Sequence, residues 1–495
     1  MGRDTISEIR KESERFLKAL NEELYRNLSG LKRGSNLNSI YQAYPNLGQA
    51  DLLFSVKDMS PEDKQEGVRP ALPLLLGFLA RSFIGSKTSR VTDKILATEA
   101  LQEILVERRP IPYRAAQAEI KKEKKRARRY EIDKGRKEIL LKLNPLFIEL
   151  LNAMHSASAE LGYSTYLTLC DDVEGLKLDQ LEEKAKVFLN DTEYIYRDLL
   201  GWFFQKKMEV KLKDAKIHDL HYLLNAFELS ANFPKTDLKS LAKTLLNEMN
   251  LGTGENVKSD LAQRRGKVSE PFCLPIEPPH NTVFSIYPIG GVEDYESFFY
   301  GLGSAICYGY TEPEDDFESR NLRESTSVEI FGQLFETLIL QPKWIRRYLT
   351  SDTGGDFLRF LYLRRLMKIR YYSGKLIYEI ALHKDEDFES KSDFYKQVLR
   401  TATLCEHSEA DYLVYCRPFF YTAAYLKASF VEPVLTSYLR ERFDEQWWRD
   451  QDAGDFLRKM WKEGGKITSQ EILKRLGYEE LDISPLFRSL AEVLG

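Results

Sequence analysis

Apolar residues recur at helical spacing along most of this chain, which limits the fold classes open to it. In residues 5–24 they fall on one stripe every three or four positions, as in an amphipathic helix, and Thr5 and Glu8 have the spacing of a capping box. Similar patterns predict six further helices: Thr92–Glu107, Asn144–Leu161, Asp179–Met208, Asp237–Met249, Asp356–Leu382 and Phe394–Leu404. The chain is therefore predicted to be mainly α-helical.

Two of these helices carry start signals of their own. Pro145 suits a first helical position, and Asp179 with Glu182 has capping-box spacing. No repeat of fixed period occurs, so the sequence does not favour a solenoid.

The segment between Asn250 and Asp294 departs from the helical pattern. Gly, Pro and Asn cluster there, and the run TVFSIY at 282–287 is rich in residues favoured in strands. Pro288 and the glycines at 290–291 follow it. We expect a small sheet inserted in a helical protein.

Length and composition place the chain among globular proteins of more than one lobe. It has 495 residues and a formal net charge of −4, which disfavours a nucleic-acid binder driven by overall positive charge. Its five cysteines are widely spaced and form no C-x-x-C pair, so reduced thiols of a cytoplasmic protein are expected. The N-terminus has no secretory pattern, and the longest apolar stretch, Ala71–Ala80, is half the length of a membrane span. We expect no membrane partner.

One segment concentrates positive charge. Residues 114–142 hold twelve Lys and Arg against five Asp and Glu, including the block KKEKKRARR at Lys121–Arg129. Such runs are typical of solvated helices with ion pairs between neighbouring turns, and they also suit docking of an acidic partner. Tyr130 is the one aromatic residue in the segment, which disfavours nucleic acid because few rings could stack on bases.

A resemblance to a known family rests on residues 294–336. Residues 294–311 read DYESFFYGLGSAICYGYT, and SVEIFGQLFE follows at 327–336. With weaker similarity at 161–166, 260–273 and 415–433, these segments resemble the oligoendopeptidase F and thimet oligopeptidase group of gluzincin zinc peptidases. The resemblance implies a mainly α, two-lobed zinc-peptidase-like fold with a small β-sheet beside a deep groove. The predicted regions are 1–250, helical, and 251–495, peptidase-like.

The chain departs from this family at the positions that carry its chemistry. Where the family has H-E-x-G-H, the resemblance places Tyr300 and Ser304 at the two His positions and Gly301 at the general-base Glu. Glu329 matches the third zinc ligand. A phenol and a hydroxyl do not replace imidazoles on a catalytic zinc, and no group remains to take the proton of the attacking water. We therefore expect no zinc, no other cofactor and no peptidase activity.

The same residues also allow structural interpretations. Glu329 follows Thr326 at capping-box spacing, Tyr300 could be a buried aromatic residue, and Ser304 could mark close helix packing. Gly301 costs about 1 kcal/mol inside a helix, which indicates that space is needed there. Tyr421 and Tyr425 are both candidates for the tyrosine that the family places beside its metal.

The predicted function is a catalytically inactive peptidase homologue, a pseudopeptidase, that binds a peptide or protein partner. Its predicted binding residues are Tyr300, Gly301, Ser304, Glu329, Tyr421 and Tyr425. One alternative is an active hydrolase with a displaced metal site at His218 and His221, which lie three positions apart on a helix. Another is a structural subunit of a larger assembly that uses the basic segment as its contact.

Overall fold

Helices dominate the fold. The computed structural model describes residues 3–58, 72–225, 232–233, 237–252, 256–349, 354–385, 387–414 and 416–494. The α-helices in these ranges are α1 (Arg3–Leu28), α2 (Leu37–Ala43), α3 (Ala50–Lys57), α4 (Leu72–Leu101), α5 (Ala116–Lys122), α6 (Arg126–Glu160), α7 (Tyr166–Glu174), α8 (Leu178–Asp191), α9 (Glu193–Met208), α10 (Ile217–Asn225), α11 (Leu238–Glu248), α12 (Val292–Gly309), α13 (Phe317–Asn321), α14 (Ser325–Glu336), α15 (Pro342–Tyr348), α16 (Gly355–His383), α17 (Ser392–Thr403), α18 (Tyr421–Arg442), α19 (Gln451–Lys462), α20 (Ser469–Arg475) and α21 (Ser484–Leu494).

Two small sheets accompany the helices in the described ranges. Strands β1 (Glu103–Val106) and β2 (Arg109–Pro112) form an antiparallel hairpin. The second sheet has the order β3–β5–β4 and consists of β3 (Val257–Asp260), β4 (Phe272–Glu277) and β5 (Asn281–Ser285). Its central strand β5 runs parallel to β3 and antiparallel to β4. The predicted mainly α fold with a small sheet between residues 250 and 294 is confirmed.

Several predicted helix boundaries are wrong. Helix α1 already includes Arg3, so Thr5 does not cap it, and α8 begins at Leu178 after Lys177 without a side-chain cap. Pro145 lies inside α6 rather than at its start, because the charged residues 126–143 continue the same helix.

Two predicted helices are divided differently in the structure. The predicted helix Thr92–Glu107 is the end of α4 followed by β1. The predicted helix Asp179–Met208 is two helices, which meet at Thr192. The predictions for α1, α11, α16 and α17 agree with the structure in position, and the Asp237 side chain caps α11 by accepting from Lys239 N.

Two predictions from composition can be compared with the described residues. None of the described helices is long and apolar enough to cross a membrane. All five cysteines are described and carry free thiols. Ala71 in the predicted apolar stretch and Tyr415 in the segment 415–433 lie outside the described residues.

The main apolar core joins distant parts of the chain. It contains Phe16 of α1 and Phe188 of α8 together with Trp344 of α15 and Trp461 of α19. At its centre α12 lies against α14, and α14 packs in turn against α18, while β5 covers another side of α12. These three helices position the candidate site.

Candidate functional site

A glycine turn sets the start of α12. Gly290 and Gly291 have positive φ of 92° and 77°, which glycine adopts without a Cβ clash. The Asp294 carboxylate accepts hydrogen bonds from the backbone N–H groups of Ile289 and Gly290 at 2.7 and 3.0 Å. This Asp therefore fixes the path from the sheet into the helix that carries Tyr300 and Ser304.

Three predicted site residues meet in one hydrogen-bonded cluster. The Tyr300 hydroxyl lies 2.8 and 2.9 Å from the two carboxylate oxygens of Glu329. The Tyr421 hydroxyl donates to Glu329 Oε1 at 2.9 Å and lies 3.0 Å from the Tyr300 hydroxyl. Helices α12, α14 and α18 each contribute one residue to this cluster, which we call the Tyr–Glu–Tyr cluster.

Burial governs the protonation of the cluster. It raises the pKa of Glu329 from 4.5 to about 7, although hydrogen bonds from both tyrosines and the charge of Arg417 act in the opposite direction. Burial also raises the pKa values of Tyr300 and Tyr421 well above 10, so both phenols keep their protons. The carboxyl group of Glu329 is thus held by two phenolic donors.

Glu329 has no capping role. Helix α14 begins at Ser325 without a side-chain cap, and the Thr326 hydroxyl, which a capping box would use, has no hydrogen-bond partner in the described structure. The capping interpretation of Glu329 is therefore wrong, because its carboxylate faces the neighbouring helices instead.

Glycines allow α12, α14 and β5 to approach closely. A Cβ on Gly301 would come within 2.5 Å of the Phe284 ring of β5, so the space expected there is filled by an aromatic side chain. A Cβ on Gly303 would lie 2.3 Å from the Phe331 carbonyl oxygen of α14. A Cβ on Gly332 would meet both the Ser304 hydroxyl and the Tyr300 ring, at 2.4 and 2.9 Å.

Two further predicted site residues, Ser304 and Tyr425, lie beside the cluster without joining its hydrogen bonds. The Ser304 hydroxyl donates to the Tyr300 carbonyl oxygen of its own helix at 2.9 Å. The Tyr425 ring stacks on Tyr372 of α16 with centroids 4.0 Å apart. Of the two candidate tyrosines, Tyr421 is thus the one that contacts Glu329.

These residues do not fit a zinc ion. Zinc sites in proteins use thiolate, imidazole or carboxylate ligands, and three of them in a catalytic site. At this position Glu329 offers one carboxylate, which already binds two phenols, and the Ser304 hydroxyl is bonded to its own helix. No group of three His, Cys, Asp or Glu side chains in the described part of the chain is placed to hold a metal ion.

A cavity of about 320 Å³ opens beside the Tyr–Glu–Tyr cluster, and Tyr300, Tyr421 and Tyr425 line it. Its wall also contains residues of α5, α6, α10, α16 and α17. Sequence analysis missed the ionic lining. It consists of the pairs Lys121–Glu293 at 2.6 Å, Arg136–Asp411 at 2.6 Å, Arg364–Glu293 at 3.2 Å and Lys375–Glu379 at 3.1 Å, together with Arg364–Glu296 and Lys368–Glu336.

Part of this ionic lining could have been predicted from the sequence. Arg364 and Lys368 are four residues apart, within a helix that is otherwise largely apolar on its buried side. Such a pair predicts one charged helix face. Their acidic partners lie on α12 and α14, and local spacing does not identify them.

The two histidines of the alternative metal site have different surroundings. His218 is buried, and its Nδ1 lies 3.2 Å from Asp219 Oδ1. His221 lines the cavity, and burial together with Lys121 and Arg136 lowers its pKa to about 3. Because the described residues supply no third ligand, the geometry gives this alternative no support.

The basic block is partly engaged within the protein. Lys121 pairs with Glu293, and Arg126 and Arg129 both bind the buried carboxylate of Asp219, at 2.9 Å each. Lys124 and Lys125 are exposed at the junction of α5 and α6.

Sequence comparisons and structure comparisons give different results. No family model matches the sequence, and no curated protein matches it. Among solved structures, PZ peptidase A with an inhibitor is 13% identical with a TM-score of 0.69, over 96% of this chain and 85% of that chain. A structure described as an oligoendopeptidase F from Bacillus anthracis str. Ames is 12% identical with a TM-score of 0.68, over 95% and 84%.

A second structure described as an oligoendopeptidase F gives a TM-score of 0.61 at 13% identity, over 96% of each chain. At these identities the likeness concerns the fold. It extends over 95–96% of this chain. The chain therefore has the helical, peptidase-like fold of the oligoendopeptidase F and PZ peptidase structures.

Proposed function

We propose that this protein is a catalytically inactive relative of the peptidases that share its fold, and that it binds a peptide or a segment of a partner protein in the cavity. The observation that carries the proposal is the phenol of Tyr300, which donates to both oxygens of Glu329. The Glu329 carboxylate, which would otherwise be available to a metal ion, is thereby engaged in hydrogen bonds within the protein.

The proposed loss of catalysis follows from the chemistry of the cluster. Hydrolysis of a peptide bond by a zinc enzyme needs a metal to acidify water and a base to take its proton. Tyr300 and Tyr421 keep their protons because burial raises their pKa values. At position 301, where the family has its base, the Phe284 ring occupies the space of a side chain.

Peptide binding is supported by the size and lining of the cavity. Its volume of about 320 Å³ is at the lower end of the range of ligand pockets. The stacked rings of Tyr372 and Tyr425 offer an apolar wall, and the paired charges opposite offer hydrogen-bond partners for a peptide backbone. The name of PZ peptidase A, which shares the fold, refers to action on peptides.

Zinc analysis and cleavage assays test the inactivity. Protein purified without chelator is expected to hold much less than one zinc per chain after dialysis, and to leave quenched-fluorescent oligopeptides intact, because the cluster offers one carboxylate. One zinc per chain that resists dialysis, or cleavage that Glu329→Ala abolishes, contradicts the proposal.

A further inference from the structure

The cationic side chains that line the cavity differ in whether a protein carboxylate lies within ion-pair distance. Lys121, Arg136, Arg364, Lys368 and Lys375 each lie within ion-pair distance of a carboxylate. Arg417 also lines the cavity, and no carboxylate in the described residues lies within 4.0 Å of its guanidinium. Arg417 is exposed, whereas Arg136 and Arg364 are buried.

Arg417 is placed next to the Tyr–Glu–Tyr cluster. Its guanidinium carbon lies 4.9 Å from the centroid of the Tyr421 ring, a cation–π contact. The hydroxyl of the same ring donates to Glu329. The carboxylate of Glu329 accepts hydrogen bonds from two phenols. The guanidinium of Arg417 therefore remains available to a ligand at the wall of the cavity.

The backbone around Arg417 is held in an unusual conformation. Arg417 precedes Pro418 and is extended, as residues before proline are. Phe419 and Phe420 then follow with positive φ of 59° and 51°. Such left-handed residues without glycine cost about 1–2 kcal/mol each and persist where other contacts hold them.

Contacts with α7 and α16 stabilise this turn. The Phe419 N–H donates to the Tyr166 hydroxyl at 2.8 Å, and the buried Phe420 ring packs against His383. Tyr166 is itself buried, so its hydroxyl is a fixed acceptor. The strained turn therefore presents Arg417 to the cavity from a rigid support, as expected of a binding residue.

We infer that Arg417 binds a carboxylate of the peptide ligand, supplied either by the C-terminus or by an Asp or Glu side chain. The planar guanidinium can donate two parallel hydrogen bonds to a carboxylate. In the described residues, each of the other cavity cations named above has a protein carboxylate within 4.0 Å, whereas Glu270 and Glu329 act on Arg417 through their charges at longer range. A ligand carboxylate can therefore take the hydrogen-bond donors of Arg417. This inference rests on the proposed peptide binding and specifies the ligand class.

Random hexapeptides with acetylated N-termini provide the probe. One library ends in a free carboxylate and the other in an amide, and peptides captured by the immobilised full-length protein are quantified by mass spectrometry. The variants are Arg417→Gln, Arg417→Lys and the matched control Arg400→Gln, which changes an exposed arginine on α17, outside the cavity lining. Circular dichroism and thermal melting verify the folding of each variant.

Wild type is expected to enrich carboxylate-bearing peptides about tenfold or more over neutral amides. Arg417→Gln should lose this enrichment and still capture neutral peptides, Arg417→Lys should keep part of it, and Arg400→Gln should behave as wild type. Enrichment of free acids over amides identifies the C-terminus, whereas enrichment of Asp and Glu within the amidated library identifies a side chain.

Two results would contradict the inference, and only the second would also contradict peptide binding. If wild type and Arg417→Gln capture the same peptides, with no preference for a carboxylate, the role of Arg417 is wrong and peptide binding stands. If wild type captures no peptide from either library, peptide binding in the cavity is itself contradicted.

Discussion

At the scale of single residues, Glu329 shows how neighbours on other helices set the chemistry of a buried carboxyl group. Its two oxygens accept from Tyr300 and Tyr421. Phenols that keep their protons are good donors to a buried carboxylate. The two phenols therefore determine what this carboxyl group binds.

The raised pKa of Glu329 predicts a pH-dependent stability. A carboxyl group with a pKa of 4.5 when unfolded and about 7 when folded binds its proton more tightly in the native state. Its contribution to stability is complete below about pH 4.5 and is lost as the pH rises through about 7, by ~3 kcal/mol. Glu329→Gln, which cannot ionise, should avoid this loss.

Urea unfolding of wild type and Glu329→Gln between pH 4 and pH 8 measures the effect. The difference in unfolding free energy should shift in favour of Glu329→Gln as the pH rises. Glu131→Gln, at an exposed position of α6, is the control and should show no such trend. Parallel pH profiles for wild type and Glu329→Gln would refute the raised pKa.

Two substitutions are expected to create a metal site. Tyr300→His with Ser304→His places two imidazoles one turn apart on α12, and both positions face Gly332 of the helix that carries Glu329. The double variant is expected to bind zinc with Glu329 as the third ligand. Calorimetric zinc titration measures binding, and the same variant with Glu329→Gln is the control. Absence of binding, or binding indifferent to Glu329, would mean that α12 and α14 are not placed as described.

The metal alone is not expected to give hydrolytic activity. A Glu at position 301 would need the space that the Phe284 ring now fills, because a Cβ there would lie within 2.5 Å of it. The double variant is therefore expected to bind zinc without cleaving peptides.

At the scale of elements, the basic block at the junction of α5 and α6 contains residues paired within the protein and residues exposed to solvent. Arg129 and Asp219 are both buried. Hydrogen bonds from Arg126 and Arg129, together with the nearby His218 ring, hold the pKa of Asp219 well below its usual range although burial opposes this. Removing one partner of such a pair leaves a buried charge uncompensated. These arginines fix α6 against α10, whereas Lys124 and Lys125 project outward.

Docking of an acidic partner at this junction can be tested with the two exposed lysines. Lys124→Glu with Lys125→Glu should weaken binding of a poly-glutamate peptide and leave folding intact. Binding to wild type should also fall as salt rises, since charges are screened beyond about 10 Å at 0.1 M salt. Fluorescence anisotropy measures both effects.

Lys134→Glu with Lys142→Glu is the matched control, because both lysines are exposed on α6 outside the block. This control changes the net charge by the same amount as Lys124→Glu with Lys125→Glu. If both double variants bind the probe like wild type, the exposed lysines do not form a docking surface.

At the scale of the whole molecule, the cavity is assembled from distant parts of the chain. Helices α5, α6 and α10 precede residue 250, and α12, α14, α16 and α18 follow it, yet all line the same space. The main apolar core also draws on both halves. The predicted regions 1–250 and 251–495 therefore both contribute residues to one cavity.

Buried polar contacts reinforce this assembly. The Arg323 guanidinium donates to the Gly464 carbonyl at 3.0 Å and to the Trp461 carbonyl at 2.7 Å, and it also donates to Cys307 O of α12. It thereby ties the C-terminal helices to the helix that carries Tyr300. The C-terminal region is thus part of the framework behind the cavity.

The sequence by itself determined the helical class and the small sheet, and it places a phenol at position 300 and a hydroxyl at position 304. Each of these depends on local pattern or on residue identity, such as the apolar period in α16 or the phenol at position 300. Helix ends were less well determined. Pro145 suits a helix start, but α6 passes through it, because the preceding residues are helical and packed on α4.

Only the tertiary structure decided which partners the site residues have. Tyr300 and Glu329 are 29 positions apart, and Glu329 and Tyr421 are 92 apart. No local spacing relates these pairs. The packing of α12 on α14, through Gly303 and Gly332, brings them within hydrogen-bond distance. The same packing selects Tyr421 rather than Tyr425 and leaves no carboxylate of the described residues within 4.0 Å of the Arg417 guanidinium, because side-chain partnership depends on the arrangement of helices in space.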